Sequence, residues 1–257
     1  MKKLFAMVRL QPYSQHTPDP YAGGMGRSWG FVPYVIVGVV HVASLATGVT
    51  ALSGPTKVAL MPALALALFV SLPRGRSAVA LWGGLALLFA WGGDILLSTP
   101  GETGFMVGLG LFMLAHAAYL VLFLRPLKVR GIPRLAFFYL PWWAALLVLL
   151  APHLGVLLVP VAVYGLVLGA SAAAALGTSR IVAVGALVFL CSDTLLAFKL
   201  FYPGFLLWQQ DALIMLGYIA GQGLIIAGTV LQSRANVGTP PVPRAGVLSP
   251  VVARPEP

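Results

Sequence analysis

Charged side chains are scarce in this sequence. Asp, Glu, Lys and Arg together make up 9% of its 257 residues, and only six residues are acidic. Soluble domains usually carry about 25% charged residues. Because 60% of the residues are hydrophobic and the mean hydropathy is +0.95, the composition excludes an ordinary soluble domain and predicts a polytopic membrane protein.

Other absences exclude particular chemistries. The single cysteine, Cys191, excludes an intrachain disulfide. The sequence has no H-E-x-x-H zinc pair, no G-x-S-x-G nucleophile elbow and no G-x-x-x-x-G-K-[ST] phosphate loop, which excludes the enzyme classes built on those motifs. Glycine is plentiful at 29 residues, but no small-residue spacing stands out as a strong helix-packing code.

Long apolar runs predict the fold class. A helix that spans the bilayer needs about 20 residues at 1.5 Å each. The runs predict an all-α transmembrane bundle of eight helices. The fifth and sixth form one apolar stretch that "APHLG" at 151–155 is expected to break. The predicted spans are 31–52, 56–72, 77–98, 104–124, 135–151, 155–176, 181–200 and 211–231.

The basic residues predict the topology. All but two of the 16 Lys and Arg residues fall in arms and loops on one side of this arrangement, and the exceptions are Lys57 and Lys199. The one-sided charge and the even span count predict cytoplasmic N and C termini. Residues 1–30 and the proline-rich tail 232–257 are expected to be disordered cytoplasmic arms around a catalytic domain at 31–231. The net charge of +10 therefore points to anionic lipid headgroups and not to nucleic acid.

Three pairs of similar segments suggest an internal repeat. "ALLF" with Asp94 resembles "ALVF" with Asp193, "MLAH" at 113–116 resembles "MLGY" at 215–218, and Pro62 resembles Pro160. Each pair is offset by four predicted spans, and an even offset preserves helix direction. The hypothesis is two parallel four-helix repeats, which would place the two aspartates at symmetry-related points.

Two acids inside apolar runs are the strongest functional signal. Asp94 stands in "GGDILL" and Asp193 in "LCSDTLL". An ionised carboxylate near the bilayer centre costs at least ~2.5–3.5 kcal/mol, so such a residue faces the bundle interior or water. Both positions fall in the outer half of the membrane. They are either structural polar residues bonded to neighbouring helices or a functional pair, and we favour the second.

Other polar residues accompany these acids. His116 and Tyr119 are three apart in span 4, and Tyr218 and Gln222 are four apart in span 8, so each pair shares a helix face. His116 is either a core histidine with one hydrogen bond or a site residue. Lys57 opens span 2 at the outer surface, where it is either an interface lysine or a site residue.

Two further charged residues receive structural assignments. Lys199 is six residues beyond Asp193 and on a different helix face, so we assign it to the membrane interface. Asp211 stands at the start of span 8, where the helix dipole favours a carboxylate, and we assign it as a cap.

Four fragments, in this order, carry a resemblance to a known family. They are "TKVALMP" in span 2, "GGDILL" in span 3, "FMLAHAAY" in span 4 and "LVFLCSDTLLAF" in span 7. Together they cover roughly residues 56 to 231. The pattern resembles the lysoplasmalogenase family, the YhhN-like integral membrane proteins.

The resemblance implies hydrolysis of the sn-1 vinyl ether bond of lysoplasmalogens, giving a fatty aldehyde and glycerophosphoethanolamine or glycerophosphocholine. It implies a lysophospholipid substrate, water, surrounding membrane lipid, no cofactor, and a place in a bacterial inner membrane. Such a bond opens when a carboxylic acid protonates its β-carbon, and a second carboxylate stabilises the cation and guides water. We assign Asp193 as the acid and Asp94 as the carboxylate, with the reverse open.

The remaining site residues follow from the same resemblance. His116 and Tyr218 would orient water or the glycerol hydroxyl, and Lys57 would meet the phosphate. Tyr119 and Gln222 complete the expected substrate-binding set. The sequence makes no prediction of oligomeric state.

Two other classes of protein stay open at this point. Paired intramembrane acids in parallel repeats also suit an ion-coupled small-molecule transporter. A structural lipid-scaffold protein without turnover would tolerate replacement of both acids. Hydrolysis in detergent separates these classes, because transport needs a sealed compartment and hydrolysis does not.

Overall fold

The computed structural model describes residues 28–235 apart from 128, 130 and 132. Within that part of the chain the backbone is helical and contains no strand, which confirms the all-α prediction. Short 3-10 segments lie at Ser28–Phe31, Arg134–Phe138 and Gly155–Leu157. The α-helices are α1 (Val32–Thr47), α2 (Thr50–Ser71), α3 (Ser77–Leu97), α4 (Glu102–Leu124), α5 (Tyr139–Leu154), α6 (Leu158–Leu176), α7 (Arg180–Phe201) and α8 (Gln210–Ala235).

Seven helical segments of the described chain are long and apolar enough to cross a membrane, so the protein is a multi-pass membrane protein. The fifth segment, Arg134–Leu176, has 43 residues and contains both α5 and α6. Gly155 separates these two helices with a φ of +51°, a left-handed conformation that favours glycine. The chain therefore breaks inside "APHLG", as predicted.

Some predicted helix ends are wrong. The first turn was expected after residue 52, but α1 ends at Thr47 and α2 begins at Thr50. Gly48 makes this turn with a φ of +73°, and Pro55 lies inside α2. Lys57 therefore lies seven residues into its helix, roughly 10 Å along the axis, and does not open it.

The chain ends also differ from the predicted boundaries. The 3-10 segment before α1 begins at Ser28, and α8 continues four residues past the predicted end at 231. The rest of the predicted disordered arms, 1–27 and 236–257, lies outside the described residues.

Glycines bring α7 and α8 into close contact. A Cβ added to Gly221 would lie 2.8 Å from the Phe189 backbone nitrogen, and one added to Gly185 would lie 2.8 Å from the Ile225 nitrogen. Gly217, one turn before Gly221, faces Ser192 in the same way. The expectation that no small-residue spacing codes for packing is wrong here, because "GYIAG" at 217–221 puts two glycines on one helix face.

One end of the bundle collects the polar side chains. Consecutive helices alternate in direction, so the C-terminal ends of α3 and α7 meet the N-terminal parts of α4, α6 and α8. Asp94 lies three residues before the end of α3, and Asp193 lies eight before the end of α7. These spacings correspond to depths of about 5 and 12 Å below the helix ends.

Candidate active site

A cavity of about 270 Å³ lies at this end of the bundle, between α2, α3, α4, α6, α7 and α8. Its walls are mostly apolar, with Phe105, Leu109 and Phe112 contributed by α4 alone. Both predicted catalytic acids line it, although they are 99 residues apart in the chain. Its polar side chains are Lys57, Asp94, Tyr164, Ser192, Asp193, Lys199 and Tyr218.

Asp94 reaches the cavity from a tightly packed part of α3. Its side chain is buried, with 5% exposed. The preceding Gly93 lies against α4, where an added Cβ would come 2.6 Å from the Phe112 ring. Tyr218 of α8 donates a hydrogen bond from its hydroxyl to Asp94 Oδ2 over 2.7 Å. The glycine lets α3 and α4 approach closely, and the tyrosine fixes the orientation of the carboxyl group.

Asp193 has an equivalent partner that the sequence analysis missed. The hydroxyl of Tyr164 donates a hydrogen bond to Asp193 Oδ2 across the α6–α7 interface. Next to Asp193, Ser192 donates to the carbonyl of Ile214 over 2.7 Å and ties α7 to α8. The one available signal was that Tyr164 and Ser171 are the two polar side chains of an otherwise apolar α6. Each acid is thus held by one tyrosine from a different helix.

Two lysines line the cavity. Lys57 Nζ donates to Ser98 Oγ over 2.9 Å, and Ser98 Oγ donates to the carbonyl of Asp94 over 2.7 Å. Lys199 also lines the cavity, and it donates to Asp211 Oδ1 on α8. The assignment of Lys199 to the interface alone missed this position. Asp211 lies in the first turn of α8 as expected, but it also makes an ion pair.

Three predicted substrate-binding residues do not line this cavity. His116, Tyr119 and Gln222 are buried behind it. The His116 ring packs edge-on against Tyr164, with ring centroids 5.9 Å apart, and its Nδ1 lies 3.1 Å from Ser171 Oγ.

Tyr119 and Gln222, the other two residues behind the cavity, form a hydrogen bond with each other. The Tyr119 hydroxyl donates to Gln222 Oε1 and links α4 to α8. All three side chains are therefore placed to support the helices that carry the cavity-lining residues. Of the predicted substrate-binding residues, Lys57 and Tyr218 line the cavity.

The arrangement supplies acid–base groups and positive charge in a mostly apolar chamber. Two carboxyl groups can hold and transfer protons, two tyrosines orient them, and two lysines can neutralise an anion. Across the described residues, no three His, Cys, Asp or Glu side chains are grouped closely enough to hold a metal ion.

Comparison with known proteins identifies the family. The YhhN family matches residues 53–229, a range that contains every predicted site residue. The chain belongs to the YhhN family. This confirms the resemblance drawn from the four sequence fragments.

Two relatives of this YhhN-family chain are curated proteins with the name lysoplasmalogenase. They come from Mycobacterium bovis (strain ATCC BAA-935 / AF2122/97) and Mycobacterium tuberculosis (strain CDC 1551 / Oshkosh). Each is 36% identical over 222 residues, covering 80% of this chain and 81% of the relative. No solved structure matches the chain significantly.

Proposed function

We propose that this YhhN-family protein is a lysoplasmalogenase, a membrane hydrolase that cleaves the sn-1 vinyl ether of lysoplasmalogens. The products are a fatty aldehyde and a glycerophospho-alcohol such as glycerophosphoethanolamine. The names of the two mycobacterial relatives support the reaction. The observation that carries the proposal is that Asp94 and Asp193, two intramembrane acids, line one cavity.

The reaction requires one proton donor and one proton acceptor. Asp193 transfers its proton to the β-carbon of the enol ether, and the π electrons form the new C–H bond. The adjacent carbon becomes an oxocarbenium ion, which water attacks as Asp94 takes a proton from that water. The hemiacetal collapses when Asp94 returns this proton to the glycerol oxygen and Asp193 regains one from the hemiacetal hydroxyl. One water is consumed, and both side chains end as they began.

Charge placement supports this division of roles. Lys57 is linked through Ser98 to the α3 segment that carries Asp94, so a positive charge lies on that side of the cavity. A neighbouring cation favours the carboxylate form of an acid. Asp193, like Asp94, accepts a hydrogen bond from a tyrosine, but the lysine on its own helix, Lys199, is already paired with Asp211. Asp94 is accordingly assigned the carboxylate role, and Asp193 the proton donor.

The size and lining of the cavity fit part of the substrate. Pockets that enclose a drug-sized ligand measure about 300–1,000 Å³, and this one is slightly smaller at about 270 Å³. It therefore accommodates the vinyl ether and glycerol, with the alkyl chain continuing along apolar walls towards lipid. Lys57 meets the phosphate. His116, Tyr119 and Gln222 act behind the cavity as positioning residues.

Replacement of each acid tests the proposal. Asp94→Asn and Asp193→Asn preserve size and remove acid–base function, so each should lower kcat for aldehyde release by about 10²–10⁴-fold. Glu102→Gln is the matched control, because Glu102 is an exposed acid at the same end of the bundle that does not line the cavity. Undiminished aldehyde release from a folded variant removes that aspartate from the mechanism.

Isotopes test the chemistry independently of substitution. In D₂O the aldehyde should carry one deuterium on the carbon next to its carbonyl, provided that it is reduced as it forms. In H₂¹⁸O the glycerophospho-alcohol should stay unlabelled, because water attacks the alkenyl carbon. Label in the glycerol oxygen would contradict the mechanism. Turnover by purified protein in detergent would also exclude transport as the primary activity, and neither the family match nor the two curated relatives supports that alternative.

The proposal extends to topology. It gives α5 and α6 one span each, a total of eight, with both termini cytoplasmic in a bacterial inner membrane and two parallel four-helix repeats. The cavity then opens towards the outer face. A membrane-impermeant thiol reagent should label Gln210→Cys in whole cells after Cys191→Ser removes the native thiol. Labelling only after lysis would overturn this topology.

A further inference from the structure

The mouth of the cavity carries an ion pair that the proposed chemistry does not use. Lys199 lies two residues before the end of α7, and Asp211 is the second residue of α8. Their side chains are bonded and are 31% and 56% exposed. Lys199 also lines the cavity that contains the two catalytic aspartates. The pair therefore stands between the reacting groups and the membrane surface.

This placement is unusual for the basic residues of the chain. In the described segments, Lys57 and Lys199 are the Lys and Arg side chains at this end of the bundle, and both line the cavity. The described arginines lie at the opposite ends of the helices, where they fit the predicted cytoplasmic side. Positive charge at the cavity end is thus concentrated at one site.

We propose that Lys199 and Asp211 together bind the zwitterionic headgroup of the lysophospholipid. The substrate phosphate takes the place of Asp211 beside Lys199, and the headgroup ammonium takes the place of Lys199 beside Asp211. Lys57 binds the same phosphate from α2. The inference rests on the proposed function and adds the residues that recognise the headgroup.

The exchange of ion-pair partners costs little free energy. An exposed ion pair contributes little to stability, so opening it costs little. The zwitterion then restores an opposite charge to each side chain, and the number of ion pairs rises from one to two. A headgroup without the ammonium would leave Asp211 facing a phosphate with no cation between them, which disfavours binding.

The spacing along α7 fits a glycerophospholipid. Lys199 is six residues, or about 9 Å, beyond Asp193 along the helix axis. Helical side chains tilt towards the helix N-terminus, so Lys199 leans towards the depth of Asp193, and both side chains line the same cavity. With the vinyl ether at Asp193, the glycerol backbone extends along this distance and brings its phosphate to the lysine.

Three substrates in one neutral detergent test the proposal. They are 1-alkenyl-glycerophosphoethanolamine, 1-alkenyl-glycerophosphate, which lacks the ammonium, and 1-alkenylglycerol, which lacks both charges. Lys199→Gln should raise KM about tenfold for both phosphate-bearing substrates, and not for alkenylglycerol. Asp211→Asn should raise KM only for the ethanolamine substrate. In both variants kcat should stay close to that of the native protein.

Controls match each substitution. Arg180→Gln removes an exposed basic residue at the other end of the same helix, and Glu102→Gln removes an exposed acid at the start of α4. Neither control should alter the ranking of the three substrates. Equal KM changes for all three substrates in either Lys199→Gln or Asp211→Asn would overturn the assignment of these residues to headgroup binding.

A charge exchange separates recognition from a structural ion pair. The double variant Lys199→Asp/Asp211→Lys keeps an ion pair but reverses its direction. If the pair only joins α7 to α8, the double variant restores the native KM. If the pair binds the headgroup, KM for the ethanolamine substrate stays raised in the double variant. Native turnover of that substrate with no headgroup-dependent effect in any variant refutes this inference alone, whereas absence of turnover in the native protein refutes the proposed function.

Discussion

The contact between α7 and α8 predicts that Gly221→Ala disturbs both stability and the active site. The new Cβ would lie 2.8 Å from the Phe189 nitrogen and 2.9 Å from its Cα. Carbon contacts are comfortable near 3.5 Å and beyond. Because these atoms belong to the backbone, no side-chain rotation relieves the clash, and the two helices must separate locally by about 0.6 Å.

Two opposing terms set the effect on stability. Overpacking of this kind costs about 1–3 kcal/mol. Alanine recovers up to about 1 kcal/mol because it favours a helix more than glycine does. Because the contacted backbone atoms cannot rotate aside, the cost here lies in the upper half of that range, about 2–3 kcal/mol, and the expected net loss in the free energy of unfolding is about 1–2 kcal/mol.

The same displacement should reach the catalytic groups. Phe189 packs against Tyr218 with ring centroids 5.5 Å apart, and Tyr218 donates to Asp94 over 2.7 Å. Full transmission of a 0.6 Å shift would lengthen this bond to about 3.3 Å, beyond the usual range for an O–H···O hydrogen bond. A loss of about 1.4 kcal/mol in transition-state stabilisation would lower kcat about tenfold.

Thermal unfolding in detergent, followed by fluorescence of the six tryptophans, measures the loss of stability in Gly221→Ala. Aldehyde release below the unfolding temperature measures the fall in kcat. Gly110→Ala is the control, because an added Cβ there has no atom within 4 Å, and the variant should be at least as stable as the native protein. If Gly221→Ala matches the native protein in both assays, α7 and α8 do not meet as described.

Two hydroxyl deletions should have opposite consequences. Tyr164→Phe removes the donor to Asp193 and should lower kcat about tenfold with little change in KM, whereas Tyr202→Phe, which does not line the cavity, should not. A native kcat for Tyr164→Phe would contradict the positioning role. Tyr119→Phe leaves Gln222 without this donor and should lower the free energy of unfolding by about 1 kcal/mol with little effect on kcat, measured by denaturation and aldehyde release. Unchanged stability would show that the bond contributes nothing.

Local sequence patterns predicted the helices well and their ends less well. Apolar runs of bilayer length can be recognised in the sequence because the hydrophobicity of each residue does not depend on its tertiary contacts. The end of α1 was missed because an apolar run does not show where within it a turn falls. The turn depends on the left-handed conformation of Gly48, and Pro55 lies inside α2 without ending it. Proline marks a restriction on the chain, but it does not say whether neighbouring packing tolerates it inside a helix.

Some residues of the candidate site were also predictable from the sequence, and others were not. Asp94 and Asp193 were identifiable because a carboxyl group in an apolar run is costly wherever its partner lies. Tyr164 and Lys199 were missed because a tyrosine in a membrane helix, or a lysine at its end, is ordinary by itself. Their importance comes from Asp193 on a neighbouring helix and from a cavity that six helices form together.

The sequence by itself determined that this is a helical membrane protein with two acids inside membrane-spanning segments, because solvation by lipid acts on each segment separately. Only the tertiary structure decided that the two acids share one chamber, that each is paired with a tyrosine, and that His116, Tyr119 and Gln222 lie behind it. Helical periodicity gives the face on which a side chain lies. Which helix that face meets depends on packing contacts, such as those of Gly93 and Gly221, between residues far apart in the chain.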